Sequence, residues 1–301
     1  MQSSGPRRSL PLWRSILFVP AISERLIASA LRQPADVLQI DLEDSVLPED
    51  KGRAREAVGS IARRMEASGK TVFVRVNRAW RHLVRDLEAS VCASVCAITL
   101  AKVPDGSFVR AVAEILSELE DEQGVSPGHT RLIAMVEDPQ GLQQIDAIAS
   151  AHDRLAAIIL GAEDLAQSMH TALDEDLLLH ANLLLLTAAR AAGIRPLGYL
   201  GSVADYQDPE RLRAQIARAR SLGFEGAFCI HPSQIAILNQ GFAPSAAELQ
   251  AAGELLEAWK LARSMGKGAF AHKGRMVDRP IVEQAQRILD FGQRQLAQDS
   301  G

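Results

Sequence analysis

Eight short apolar runs recur along the chain with helical or polar stretches between them: RSILFVP (14–20), VLQIDLED (37–44), TVFVRVN (71–77), AITLAKV (97–103), RLIAMVED (131–138), AAIILGAED (156–164), RPLGYLGSV (195–203) and GAFCIHP (226–232). Each is rich in Val, Ile or Leu and nearly continuous, as a strand covered on both faces must be. The intervening segments read as helices, for example 23–33, 51–68, 209–223 and 245–264; several open on Ser, Asp or Pro and close near Gly. Strand starts lie 23 to 39 residues apart, which suits βα units with right-handed crossovers. Eight such units over about 250 residues make a (β/α)8 TIM barrel. An open doubly wound sheet is the competing layout, but the first strand-to-helix turn, VPAISER, lacks its glycine fingerprint.

Composition bounds the setting. Of the 301 residues 47% are apolar and 23% charged, enough to bury a full core, and the net charge of -4 argues against nucleic acid or an anionic membrane as a partner. The opening MQSSGPRRSLPLW carries two arginines but no apolar run of secretory-signal length. No window approaches the apolar length that spans a bilayer. Cys92, Cys96 and Cys229 lie in apolar runs without C-x-x-C spacing, which reads as buried free thiols in a reducing compartment, the cytoplasm. No linker-like shift precedes residue 264, so residues 1–264 read as the barrel and 265–301 as an extension.

In such barrels chemistry gathers where strands end. Here strand ends carry Asp41, Glu43, Asp44, Arg75, Asn77, Lys102, Glu137, Asp138, Asp164, Asp205 and His231, and the strand starts read as carrying nothing comparable. An ionised carboxylate at the end of a buried strand needs compensation. Glu137 and Asp164 end neighbouring strands. Two hard oxygen ligands without a Cys or a His pair suit Mg2+, with waters and substrate oxygens completing the shell. Asp138, before Pro139, reads as a helix cap. Arg75 is a planar donor suited to gripping a carboxylate in two-point geometry; its alternative is an ion pair with Asp41 or Glu43. Lys102 reads as a partner for a neighbouring acid. Ser233 reads as the cap of the helix after strand eight, and His231 as either an orienting partner or a catalyst.

Taken in order, RSILFVP, LQIDLEDSV with Lys51 and Arg53 behind it, VRVN, LAKV, VEDPQG, GAEDLA, CIHPSQI and GKGAFAHKGRMVDRP resemble the citrate lyase beta-subunit-like family. That family includes malyl-CoA and citramalyl-CoA lyases within the wider HpcH/HpaI aldolase group. The resemblance implies a TIM barrel and Mg2+-dependent cleavage or formation of a C–C bond in a 3-hydroxyacyl-CoA thioester. It implies Glu137 and Asp164 as metal ligands, Arg75 as the substrate-gripping arginine, and Asp278 as an acid/base group delivered to a neighbouring subunit's site, in a homotrimer or hexamer. Asp44, Glu137 and Arg75 then form the substrate-binding set, with Arg25 as a cation for the coenzyme A phosphates. Two other readings stand beside this one: a metal-dependent aldolase on free 2-oxo acids, and a low-activity citrate-lyase-type subunit paralogue. Three positions depart from the family pattern. Asp138 stands where Thr is usual, Leu200 where strand seven has an aspartate, and Ala21 where Gly follows the first Pro.

In the extension, GKGAFAHKGRMVD reads as a hairpin turning at Lys273-Gly274, and PIVEQAQRILDFGQRQL as an amphipathic helix. Phe270, Met276, Ile281, Ile288, Leu289 and Phe291 need a surface to bury against.

Overall fold

A computed structural model describes residues 10–299; the arginine-bearing start of the chain lies outside the described residues. The eight expected runs all form strands: β1 (Ser15–Pro20), β2 (Val37–Asp41), β3 (Thr71–Val76), β4 (Ala97–Leu100), β5 (Arg131–Val136), β6 (Leu155–Leu160), β7 (Arg195–Leu197) and β8 (Ala227–Cys229). Between and after them run α1 (Glu24–Ala30), α2 (Lys51–Ala67), α3 (Trp80–Ser90), α4 (Gly106–Glu122), α5 (Pro139–Gln143), α6 (Ile145–Ala149), α7 (Ala162–Ser168), α8 (Glu175–Ala192), α9 (Pro209–Leu222) and α10 (Pro232–Phe242). The strands pair in parallel in the order β7-β6-β5-β4-β3-β2-β1-β8. At the seam between β7 and β8, Gly198 N–H donates to the Gly226 carbonyl (2.8 Å) and Glu225 N–H to that of Pro196 (3.1 Å). These two bonds close the TIM barrel expected from the alternation. Alternation along each strand then decides what faces where. Val74, Ile98, Ala134 and Ile158 join the layer packed under the helices. Their neighbours Arg75, Thr99, Met135 and Ile159 form the other, inward-facing set.

One expectation about charge is overturned. The strand starts are not bare: Arg14 pairs with Asp36 (2.8 Å), Arg154 with Glu120 (2.7 Å) and Arg195 with Glu225 (3.8 Å). Glu120 also accepts the N–H groups of Gly128 and Thr130, both at 2.7 Å, which fastens the loop entering β5. Burial would raise the Glu120 pKa, yet the Arg154 hydrogen bond and those two amides hold it below the usual carboxylate range. Arg14 and Arg154 are neutralised pair by pair, as buried ions must be, while the more exposed Glu225 also answers Arg190 (2.6 Å).

The described residues divide into two compact units, one over 13–242 and a second over 243–299 with 10–12. In the second lie α11 (Ala246–Ser264), the strands β9 (Phe270–His272) and β10 (Arg275–Val277), and α12 (Arg279–Asp299). The sequence reading drew its line at 264, where α11 ends; by packing, α11 goes with α12, Leu249 resting where a Cβ on Gly292 would stand. A capping box of Ser245 and Glu248 opens α11. The hairpin turns at Lys273 (φ 47°) and Gly274 (φ 78°), both left-handed as a two-residue turn demands. No helix of the described chain is long and apolar enough to cross a membrane. The three cysteines are free, with Cys229 buried and Cys92 and Cys96 only half-buried.

Candidate active site

The carboxyl ends of the strands surround a cavity of about 540 Å³. Its wall includes Asp41, Asp44, Arg75, Glu137 and Asp164, so the barrel fold brings five of the expected rim residues together. Below them the lining turns apolar with Phe18, Met135, Ile159 and Phe228. The rings of Phe18 and Phe228 lie 5.2 Å apart.

Arg75 is the best-anchored group. Its Nε and Nη2 donate to the two Asp41 oxygens at 2.7 and 2.8 Å, and Nη1 lies 3.1 Å from Glu43. Its guanidinium carbon stands 4.6 Å over the Phe18 ring. The ion-pair alternative for Arg75 is therefore realised with both acids at once. Asp41 is further fixed by the N–H groups of Glu43 (3.0 Å) and Ser45 (3.2 Å). Burial works against an ionised Asp41, but Arg75 outweighs it and the pKa is lowered; Arg75 is raised in turn, despite its own burial.

Glu137 is in the opposite condition. It is 3% exposed, and among the described residues no arginine or lysine forms an ion pair with it. Burial, aided by the charges of Asp164 and Glu43, pushes its pKa up to about 8, against the lowering effect of a hydrogen bond from Lys102 N–H (2.5 Å). Gly161, directly after β6, makes room for it: a Cβ there would stand 2.5 Å from Glu137 Cγ and 2.6 Å from Oε1. Asp164 sits in the first turn of α7, a little beyond the strand end where the sequence placed it. Lys102 lies in the left-handed region (φ 50°), a conformation that costs a non-glycine residue roughly 1–3 kcal/mol. Its ammonium is shared among Glu43 (3.3 Å), Asp164 (3.6 Å) and Asp44 (3.9 Å). Lys102 does pair with neighbouring acid, and with three residues instead of one.

The donor set fits Mg2+. Asp41, Glu43, Asp44 and Asp164 crowd round Arg75 and Lys102, with Glu137 on the same cavity wall, so carboxyl groups outnumber the cations they pair with and offer hard oxygens. Among the described residues no three His, Cys, Asp or Glu side chains converge as a ready-made cage. Two carboxylates with room for water and substrate oxygens is the arrangement Mg2+ prefers.

Other expectations sort differently. Asp138 caps α5, accepting from Gly141 N–H (2.7 Å), as expected. Ser233 does not cap α10: it lies inside the first turn, and its hydroxyl pairs with His231 Nδ1 (2.8 Å). Gln234 reaches back instead, accepting from the N–H groups of Ile230 and His231. The His231 ring stacks on Tyr206 at 4.6 Å. Asn77 serves structure: it accepts from Lys51 Nζ (2.8 Å) and donates to Asp86 (2.6 Å). Lys51 also donates to the Leu42 and Glu43 carbonyls, tying down the acidic loop after β2. The motif contained Lys51, but its role was hidden because its partners are carbonyls. Glu163 was missed; it accepts from Ser202 (2.6 Å) and Val203 N–H (3.0 Å) and lines the cavity. Asp205 pairs with Arg211 at 3.7 Å, and Leu200 is buried. Arg25 is exposed on α1, next to Leu26, which lines the cavity. Asp278 is exposed in the second unit, its carbonyl accepting from Val282 N–H at 3.1 Å.

The family model HpcH/HpaI aldolase/citrate lyase matches residues 14–232. Citrate lyase subunit beta of Escherichia coli (strain K12) is 34% identical over 294 residues, covering 96% of each chain. The L-malyl-CoA/beta-methylmalyl-CoA lyase of Rhodobacter capsulatus is 33% identical over 293 residues, covering 90% of each. Among solved structures, protein CitE from Mycobacterium tuberculosis in complex with magnesium, acetoacetate and coenzyme A has 29% identity and a TM-score of 0.70, over 94% of this chain and 98% of that one.

Proposed function

Because the chain belongs to the HpcH/HpaI aldolase/citrate lyase family, we propose that it is a Mg2+-dependent carbon–carbon lyase of coenzyme A thioesters. Its substrate would be a 3-hydroxyacyl-CoA such as malyl-, citramalyl- or citryl-CoA, cleaved to an acyl-CoA and a 2-oxo acid or formed from them. The observation that carries this reading is the buried, uncompensated Glu137 carboxylate beside Asp164 at the mouth of the cavity. These two residues would hold the ion. When bound, Mg2+ polarises the oxygen that becomes the carbonyl of the 2-oxo acid.

The chain's own groups supply the rest. Asp41 fixes the Arg75 guanidinium so that it needs no reorganisation when charge develops on the thioester oxygen. Transfer of the hydroxyl proton to a base and scission of the C–C bond leave the 2-oxo acid and a thioester enolate. Asp278, brought by a neighbouring subunit of a homo-oligomer, then gives a proton to the enolate carbon. Asp44, exposed at the rim, contacts the substrate, and Arg25 meets the coenzyme A phosphates.

Arg75→Lys keeps the charge but loses the planar fork on Asp41. It is expected to lower turnover at least tenfold, about 1.4 kcal/mol of barrier. A lysine variant with wild-type kcat would make Arg75 structural only.

The reading is tested by assaying cleavage of malyl-, methylmalyl-, citramalyl- and citryl-CoA with Mg2+ and with excess chelator. At least one thioester should be cleaved, and only with the metal. Turnover of free 2-oxo acid aldols without any thioester would replace it with a free-acid aldolase. No turnover of any compound would favour a subunit paralogue, the reading to which Leu200 lends support.

A further inference from the structure

Lys102 has a geometry that its place in the sequence does not explain. Its backbone is left-handed at φ 50°, and its N–H is committed to Glu137 Oε2. That bond points the four-carbon stem at the acidic rim. The ammonium, however, is held loosely: it lies 3.3 Å from Glu43, 3.6 Å from Asp164 and 3.9 Å from Asp44. Its side chain remains 37% exposed. Arg75 offers a contrast, since its fork is locked on Asp41 with two bonds under 3 Å and it is nearly buried.

We propose that Lys102 is a resident counter-cation of the metal site: its ammonium pairs with Asp164 and competes with the divalent ion for that carboxylate, so that ion binding displaces it toward Glu43 and Asp44. This rests on the reading that Glu137 and Asp164 hold the ion. Two facts make displacement feasible. An ammonium is a point charge on a flexible stem, with no planar geometry to satisfy. Asp44, with its side chain 60% exposed, and Glu43 offer it a second pairing that leaves Asp164 free. The backbone bond to Glu137 does not depend on the ammonium, so the carboxylate keeps its orientation while the side chain moves. A divalent ion beside Asp164 and an ammonium within 4 Å of the same oxygen repel each other, so they cannot share it without cost. Lys102 would therefore weaken ion binding while keeping the metal-free acids together.

The test is a Mn2+ titration of the full chain, followed by the spectroscopic signal of free Mn2+, for wild type, Lys102→Met, Lys102→Gln and Lys102→Arg at one ionic strength. The neutral variants should bind Mn2+ at least tenfold more tightly than wild type, with the arginine variant close to wild type. Metal-free Lys102→Met should melt below wild type, and Mn2+ should narrow the difference. Two neutral variants guard against one failing to fold. Unchanged or weaker Mn2+ binding in the folded neutral variants overturns the proposal. Glu137→Gln, titrated alongside, separates the two ideas: if it binds Mn2+ like wild type, the ion site itself is wrong. If it binds none and the Lys102 variants are no tighter, only the competition falls.

Discussion

Glu137→Gln is expected to abolish Mg2+-dependent turnover while the barrel stays folded. The amide has the shape of the carboxylate, so it still fits the space left by Gly161 and its oxygen can still accept from Lys102 N–H. What disappears is the charge. Glu137 is buried, and its ionised form is disfavoured by that burial and by Asp164 and Glu43. A cation arriving from outside would bring out the ionised form, because an uncompensated buried charge is costly. The variant should lose at least a thousandfold in kcat/KM, roughly 4 kcal/mol of barrier. Without metal it should melt no lower than wild type. Substantial residual activity, or wild-type activity in excess chelator, would remove Glu137 from the chemistry.

Asp278→Asn should cost about 10²–10⁴-fold in turnover, the usual worth of a positioned acid or base. The sharper expectation is that this loss is repaired across subunits. Asp278 opens α12 just past the tight hairpin, exposed in a unit that also leaves Met276, Ile281 and Leu296 exposed. Such a segment is suited to lie on another copy of the barrel. Mixing inactive Glu137→Gln chains with inactive Asp278→Asn chains and allowing exchange would create sites with both wild-type residues, and activity should return. No recovery, with mixed oligomers confirmed by mass, would mean that each chain completes its own site.

How far this could be read beforehand depended on the range of the interaction. All eight strands were legible because a strand buried on both faces writes itself as one continuous apolar run, with no partner needed to see it. The Asp138 cap and the Lys273-Gly274 turn were legible because their signals are local. Pairings between strands were legible only in outline: an ion pair of Arg75 with Asp41 or Glu43 could be named as an alternative but not chosen. Arg75 locks on Asp41 34 residues away, Lys102 N–H meets Glu137 35 away, and its ammonium meets Glu43 59 away. Spacing alone does not say which of several acids a cation will choose. The strand starts were misread for the same reason: Arg154 and Glu120 are 34 apart, and only the fold shows them neutralising each other. Ser233 was misassigned because a Ser near a helix start is the commoner cap, whereas here the helix begins at Pro232 and the His231 ring accepts from the Ser233 N–H (3.2 Å). The left-handed Lys102 leaves no trace in composition, since nothing but tertiary contact holds a lysine there.

On this account Glu137 and Asp164 share one divalent ion at the mouth of the barrel. Crystals soaked in Mn2+, with data collected at the manganese edge, test it most directly. A single strong anomalous peak within coordination distance of both carboxylates, lost in Glu137→Gln crystals, is the predicted result. A peak elsewhere, or none at saturating Mn2+ with both side chains ordered, would contradict it.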